Sequence, residues 1–117
     1  MVYVENITDE INPGVFYTIK VGQNQFENDK LLKDATIDNI WFHLSSLPSP
    51  FGILISNSTL KEIPRKILCR AAFLVKYHSK YSFLKNIKVD YITVKYVFPT
   101  IITGEVDIKK KPRVLTV

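Results

Sequence analysis

Pro64-Arg65-Lys66-Ile67-Leu68-Cys69-Arg70-Ala71-Ala72-Phe73-Leu74-Val75-Lys76-Tyr77-His78 is the stretch on which the fold turns. At 3.6 residues per turn, Ile63, Ile67, Leu68, Ala71, Leu74, Val75 and His78 fall on one side. Arg65, Lys66, Cys69, Arg70, Phe73, Lys76 and Tyr77 fall on the other. Pro64 suits the first helical position, where its missing N–H costs nothing. Thr59 and Glu62 have capping-box spacing, but a start there would leave Pro64 inside the helix. The pattern therefore predicts one long helix from about Pro64 to His78.

Both flanks read mainly as strands. Upstream, a short first strand near Val2–Glu5 leads to a turn at Asn12-Pro13-Gly14. Phe16-Tyr17-Thr18-Ile19-Lys20-Val21, rich in aromatic and β-branched residues, is the next strand, and Gly22 ends it. Asn28 is positioned to cap a short helix from Asp29 to Ala35, with Leu31 and Leu32 inward. Ile40–Leu44 and Gly52–Ile55 are short apolar runs that read as buried strands, and Leu47-Pro48-Ser49-Pro50 between them is a loop. Downstream, a long strand is expected from Ile87 to about Val97. A final hairpin around Thr103-Gly104 would pair Glu105–Ile108 with Val114–Val117. The order β-β-α-β-β-α-β-β-β predicts an α+β fold: a single domain, residues 1–117, with a mostly antiparallel sheet and one long and one short helix packed on one face.

The 117 residues suffice for one hydrophobic core. The 14 aromatic residues and 46% hydrophobic content argue against disorder. No apolar run approaches the roughly 20 residues of a membrane span. The N-terminus lacks the pattern of a secretory signal. Cys69 is the only cysteine, so no intrachain disulfide can form. These features predict a cytoplasmic protein.

Charge is segregated along the chain. Residues 1–60 hold three Lys/Arg and seven Asp/Glu, whereas residues 61–117 hold thirteen and four, a balance of −4 against +9. A polyanion is then the first partner to consider. On the outer side of the long helix, Arg65, Lys66, Arg70 and Lys76 accompany Phe73 and Tyr77, with no acid between Arg65 and Tyr77. Cations neutralise phosphates, and aromatic planes stack on unpaired bases. Alternatively, Phe73 and Tyr77 pack under a neighbouring segment and only the cations are exposed. A second cluster, Lys109-Lys110-Lys111-Pro112-Arg113, falls in the predicted terminal hairpin turn, with Lys85, Lys88 and Lys95 available from the preceding strand. Such a tip can also simply discourage edge-to-edge aggregation.

Asn39-Ile40-Trp41-Phe42-His43-Leu44 holds the only tryptophan. In a strand, Trp41 and His43 point one way and Phe42 the other, so both faces must be covered. Together with Gly22-Gln23-Asn24, Glu27-Asn28-Asp29, Ile63-Pro64, Ala71-Ala72, Ser79, Val89-Asp90-Tyr91, Gly104-Glu105-Val106 and Val114-Leu115-Thr116-Val117, this segment resembles the NFACT-R domain family. The likeness is to its short stand-alone form, related to coiled-coil domain-containing protein 25. The elements occur in order over most of the chain. There are departures: Asn39 stands where the family has Asp, and Phe51 where it has a histidine. The charged helical tail of similar stand-alone proteins is absent. The resemblance implies an RNA-binding module acting at the ribosome and on tRNA, including in ribosome quality control.

No chemistry competes with that expectation. Two histidines and one cysteine lack zinc-site spacing, and no GxSxG, P-loop or GxGxxG occurs. Glu27, Asp29, Asp38 and His43 are better read as capping, loop and core groups than as a metal or acid–base site. No catalytic residues, metal, cofactor or small-molecule substrate are expected. The sequence thus predicts a non-enzymatic factor that binds rRNA, and tRNA as a further partner, through Arg65, Lys66, Arg70, Phe73, Lys76, Tyr77, Lys109, Lys110, Lys111 and Arg113. It would act by occupancy in quality control, silencing or dormancy, with ribosomal proteins as neighbours. A protein-interaction adaptor, or a binder of DNA or an anionic surface, remains as the alternative.

Overall fold

A computed structural model describes residues 1–9 and 11–117. Six strands form the main antiparallel sheet: β1 (Tyr3–Thr8), β2 (Phe16–Val21), β3 (Ile40–Leu44), β4 (Gly52–Ser56), β5 (Lys88–Thr93) and, at the far edge, β8 (Arg113–Thr116), in the order β1-β2-β4-β3-β5-β8. A second sheet pairs β6 (Val97–Pro99) with β7 (Val106–Ile108). The helices are α1 (Gln25–Asp34) and α2 (Arg65–Tyr77). The Cα radius of gyration, 13.1 Å, matches the roughly 13 Å expected of one compact domain of this length. The α+β class and the mostly antiparallel sheet are as the sequence predicts.

The pleat of β3 divides the interior. Ile40, Phe42 and Leu44 pack towards α2 with Ile67, Leu68, Ala71, Leu74 and Val75. Trp41 points the other way, into a cluster with Leu31 and Leu32 of α1, Phe51, Ile53, Ile92 and Val97. Trp41 is 2% exposed and Phe42 fully buried, so the strand is covered on both faces. The two helices therefore lie on opposite sides of the sheet, not on one face as expected. One strand with large apolar groups on both sides needs a cover for each.

Other boundaries also move. The first strand runs on to Thr8, because each of its residues finds a partner in β2. α1 begins before Asn28: Asn24 is its N-cap, accepting the Glu27 N–H at 2.9 Å, while Glu27 accepts the Gln23 N–H at 2.9 Å. The Thr59–Glu62 signal is real but local. It closes a single 3₁₀ turn, Leu60–Glu62, in which Glu62 accepts from the Thr59 N–H and hydroxyl, and α2 then starts anew after Pro64.

The expected long strand breaks at Thr93. There β3 has begun at Ile40, and the next N–H groups, of Val94 and Lys95, turn to the carbonyls of Asn39 and Ile37. The expected terminal hairpin does not form either. Val106 and Ile108 belong to the Trp41 side, whereas Leu115 belongs to the α2 side, so β7 pairs with β6 and β8 crosses to β5. The Lys109–Arg113 segment is that crossover. No helix among the described residues is long and apolar enough to cross a membrane.

Candidate functional site

Folding redistributes the charge that the linear sequence segregates. Arg70 is exposed but engaged: its Nε and an Nη lie 2.8 and 2.9 Å from the two Glu5 carboxylate oxygens on β1. That bidentate pair holds the Glu5 carboxyl below its ordinary range and raises Arg70. Asp9 is held down chiefly by the Ile11 N–H, with Lys66 contributing through its charge. Acids of the first half thus answer cations of the second. Lys76 departs further from expectation. It is buried at 8% exposure, its Nζ 3.2 Å from the main-chain oxygen of Val117. Its position at the last turn of α2 lets the aliphatic stem be buried while the amine reaches that oxygen.

Arg65 and Lys66 remain exposed on α2. Phe73 and Tyr77 do not pack under a neighbouring segment: they are 40% and 61% exposed, with ring centroids 5.9 Å apart, and the Arg70 guanidinium lies 5.5 Å from the Phe73 ring. The aromatic half of the predicted helix face is therefore accessible, and half of its cations are engaged.

The crossover is the more open cationic surface. Lys109, Lys110, Lys111 and Arg113 are all exposed. Lys110 and Lys95 flank the Tyr96 ring at 5.1 and 5.0 Å, an arrangement in which the ring face helps hold two ammonium groups together. Asp107, 3.7 Å from Lys109, is the one ion-pair partner of this group among the described residues. Lys109 leaves from β7 on the Trp41 side, and the segment ends in β8, whose Leu115 packs on the α2 side. Sequence reading missed Tyr96 and underweighted Lys95; the Lys95-Tyr96 dipeptide was the available signal.

A cleft of about 690 Å³ opens on the Trp41 side of the sheet. Its walls come from the α1 N-terminus, β3, the Pro48–Phe51 loop, the end of α2 and the turn at Gly104. Local chemistry explains how these segments meet. Phe51 is pinned twice, its N–H donating to Asn28 Oδ1 at 3.0 Å and its carbonyl accepting from Gly22 at 3.0 Å. A Cβ on Gly22 would strike Asn28, and one on Gly104 would press on Gln25. The expected capping role of Asn28 is thus replaced by a buried one.

On the cleft wall Trp41 and His43 stack at 5.4 Å, with Phe51 edge-on to both. His43 Nδ1 lies 2.6 Å from the Leu44 carbonyl, and burial pushes its pKa down. His78 lies between Tyr3 (4.5 Å) and Gln23, whose amide is 3.2 Å from Nδ1, and burial lowers it too. It is a half-buried member of the cleft wall, at the end of α2. Asp90 pairs across strands with His43 and accepts from the Ser45 hydroxyl. No group of three or more His, Cys, Asp or Glu residues able to hold a metal occurs among the described residues.

No protein-family model matches the chain. It is similar to coiled-coil domain-containing protein 25 from Bos taurus and from Mus musculus, each 32% identical over 82 residues, 68% of this chain. The Danio rerio protein of that name is 30% identical over the same length. These similarities mark distant homology, and the matched stretch spans 38% of those relatives' length. In three dimensions the chain superposes on the C-terminal part of a fibronectin/fibrinogen-binding protein from Streptococcus suis with a TM-score of 0.76 and 26% identity. That match covers 86% of this chain and 40% of the other.

Proposed function

We propose that this chain is a short NFACT-R-type domain that binds ribosomal RNA or tRNA and acts by occupancy rather than catalysis, in the cytoplasm. The observation that supports it best is the Lys95–Tyr96–Lys110 arrangement beside exposed Lys109, Lys111 and Arg113. Close cations with one acid among them repel each other until an anion joins them, and a phosphate backbone supplies such anions in series. Phe73 and Tyr77 offer a separate stacking surface on α2, with Arg65 and Lys66 beside it. Homology to coiled-coil domain-containing protein 25 favours the NFACT-R assignment over an unrelated basic domain.

The test is sedimentation with ribosomes through sucrose gradients at low salt, followed by affinity for rRNA and tRNA fragments across salt. Binding should weaken with a log–log slope of roughly −0.7 to −0.9 per neutralised phosphate. Reversing Lys110, Lys111 and Arg113 to Glu should abolish it, while reversing Arg70 should change it little. A protein that stays in the light fractions overturns the proposal. The adaptor reading is favoured by one feature, the apolar tip of the β6–β7 turn, where Ile101 and Ile102 are exposed. An interface built there would respond little to salt.

A further inference from the structure

Two buried side-chain nitrogens lack a hydrogen-bond partner among the described residues, Trp41 Nε1 and His78 Nε2, and both belong to residues that line the same cleft. The interior of a native domain seldom leaves such groups unpaired, because each orphan forfeits the full cost of its desolvation. The protonation pattern can be read from the partners. The Gln23 amide donates to His78 Nδ1, so the neutral ring carries its proton on Nε2. His43 donates from Nδ1 to the Leu44 carbonyl, so its Nε2 is a bare acceptor. Two unanswered donors therefore lie buried in the cleft wall, and the His43 ring, stacked on Trp41, adds an acceptor.

We propose that this cleft receives an unpaired nucleobase bearing an exocyclic carbonyl, uracil or guanine, from the RNA that the proposed function invokes. A carbonyl oxygen would accept from Trp41 Nε1–H, and the adjacent ring N–H would donate to His43 Nε2. His43 is the partly exposed ring of the wall, backed by the buried rings of Trp41 and Phe51, and supplies the aromatic contact for a base entering edge-first. The His78 N–H and the exposed Lys80 at the α2 end of the wall serve the ribose and phosphate. Asp90 and Glu105 also line the cleft, which disfavours a phosphate deep inside and leaves the base as the inserted part. The cleft volume is within the range of small-ligand sites. This deepens the RNA-binding reading and rests on it.

Trp41 is the only tryptophan, so its fluorescence reports on the cleft directly. UMP and GMP should shift or quench the emission saturably, with AMP, which lacks the carbonyl, at least tenfold weaker. His43→Phe keeps the stacked ring and removes the acceptor. It should weaken binding of hexauridylate about tenfold and leave hexaadenylate and the salt slope unchanged. Trp41→Phe, followed by calorimetry, should do the same; if it fails to fold, the fluorescence and the His43→Phe titrations decide. Hexauridylate that binds without changing the emission, or with no loss in His43→Phe, overturns the base site while leaving RNA binding by the crossover intact. Saturable UMP binding without any affinity for rRNA or tRNA keeps the base site and removes the RNA-binding proposal. Silence towards every probe removes both.

Discussion

Gly22 and Asn28 supply a quantitative check on how the cleft is assembled. A methyl group at position 22 would meet the Asn28 side-chain oxygen far inside van der Waals contact, with the Asn28 N and Cα at 3.0 and 3.2 Å. That oxygen is the acceptor for the buried Phe51 N–H at 3.0 Å. Gly22→Ala thus overpacks the junction, costing about 1–3 kcal/mol, and dislodges the acceptor, costing about 1–3 kcal/mol more. Asn28→Ala alone leaves the Phe51 N–H unanswered and should cost about 1–3 kcal/mol. Once the amide is gone, the new methyl group has most of the space it needs. The double variant should then be more stable than the sum of the single losses implies, by about 1 kcal/mol or more. Urea unfolding of the four proteins, with a common slope, measures this coupling. Additive losses would refute the claim that the two residues compete for one position.

Three other outcomes follow from the structure. Lys76→Met should change stability by no more than about 1 kcal/mol, because the stem stays buried and one exchangeable hydrogen bond is lost, and RNA affinity should not move. The Glu5–Arg70 pair contributes above the ordinary glutamate pKa and is lost as pH falls through the depressed folded value. With Arg70 44% exposed the contribution is only about 0.5 kcal/mol, so thermal unfolding of Glu5→Gln and of the parent should converge under acid and differ near neutrality. Gly52→Ala should cost about 1–3 kcal/mol in chemical unfolding, since its methyl would press on Val75, Phe42 and Ile19 where α2 crosses the sheet.

The elements with a strong period were legible from the residues: β2 and β3 coincide with their expected bounds, and α2 loses only its two capping residues. Asn24 and Asn28 show why caps are harder. Both are good capping residues by type; the signal that separates them is Glu27 three residues after Asn24, where Asn28 has the apolar Leu31, and Asn28 is instead buried with its side-chain oxygen on the Phe51 N–H. Strand pairing at the C-terminal end was illegible for a different reason. Val106, Ile108 and Leu115 look alike in sequence, yet they serve opposite layers. For the cationic site, exposure of Lys110 and Arg113 was a sound expectation. Composition could not foresee that Arg70 finds Glu5, 65 residues away, or that Lys76 turns inward. The cleft was present in the sequence only as scattered motif residues, since Gln23, Trp41, His78 and Gly104 become neighbours only through the sheet order.

Because β3 lends alternate side chains to both cores, neither layer has a boundary of its own at which to come apart. Loss of α1 strips Trp41, loss of α2 strips Phe42, and the strand between them cannot survive as half of a sandwich. The molecule is therefore built to open as a single cooperative unit, and its amide protons near the centre of the sheet should exchange with solvent only through global unfolding.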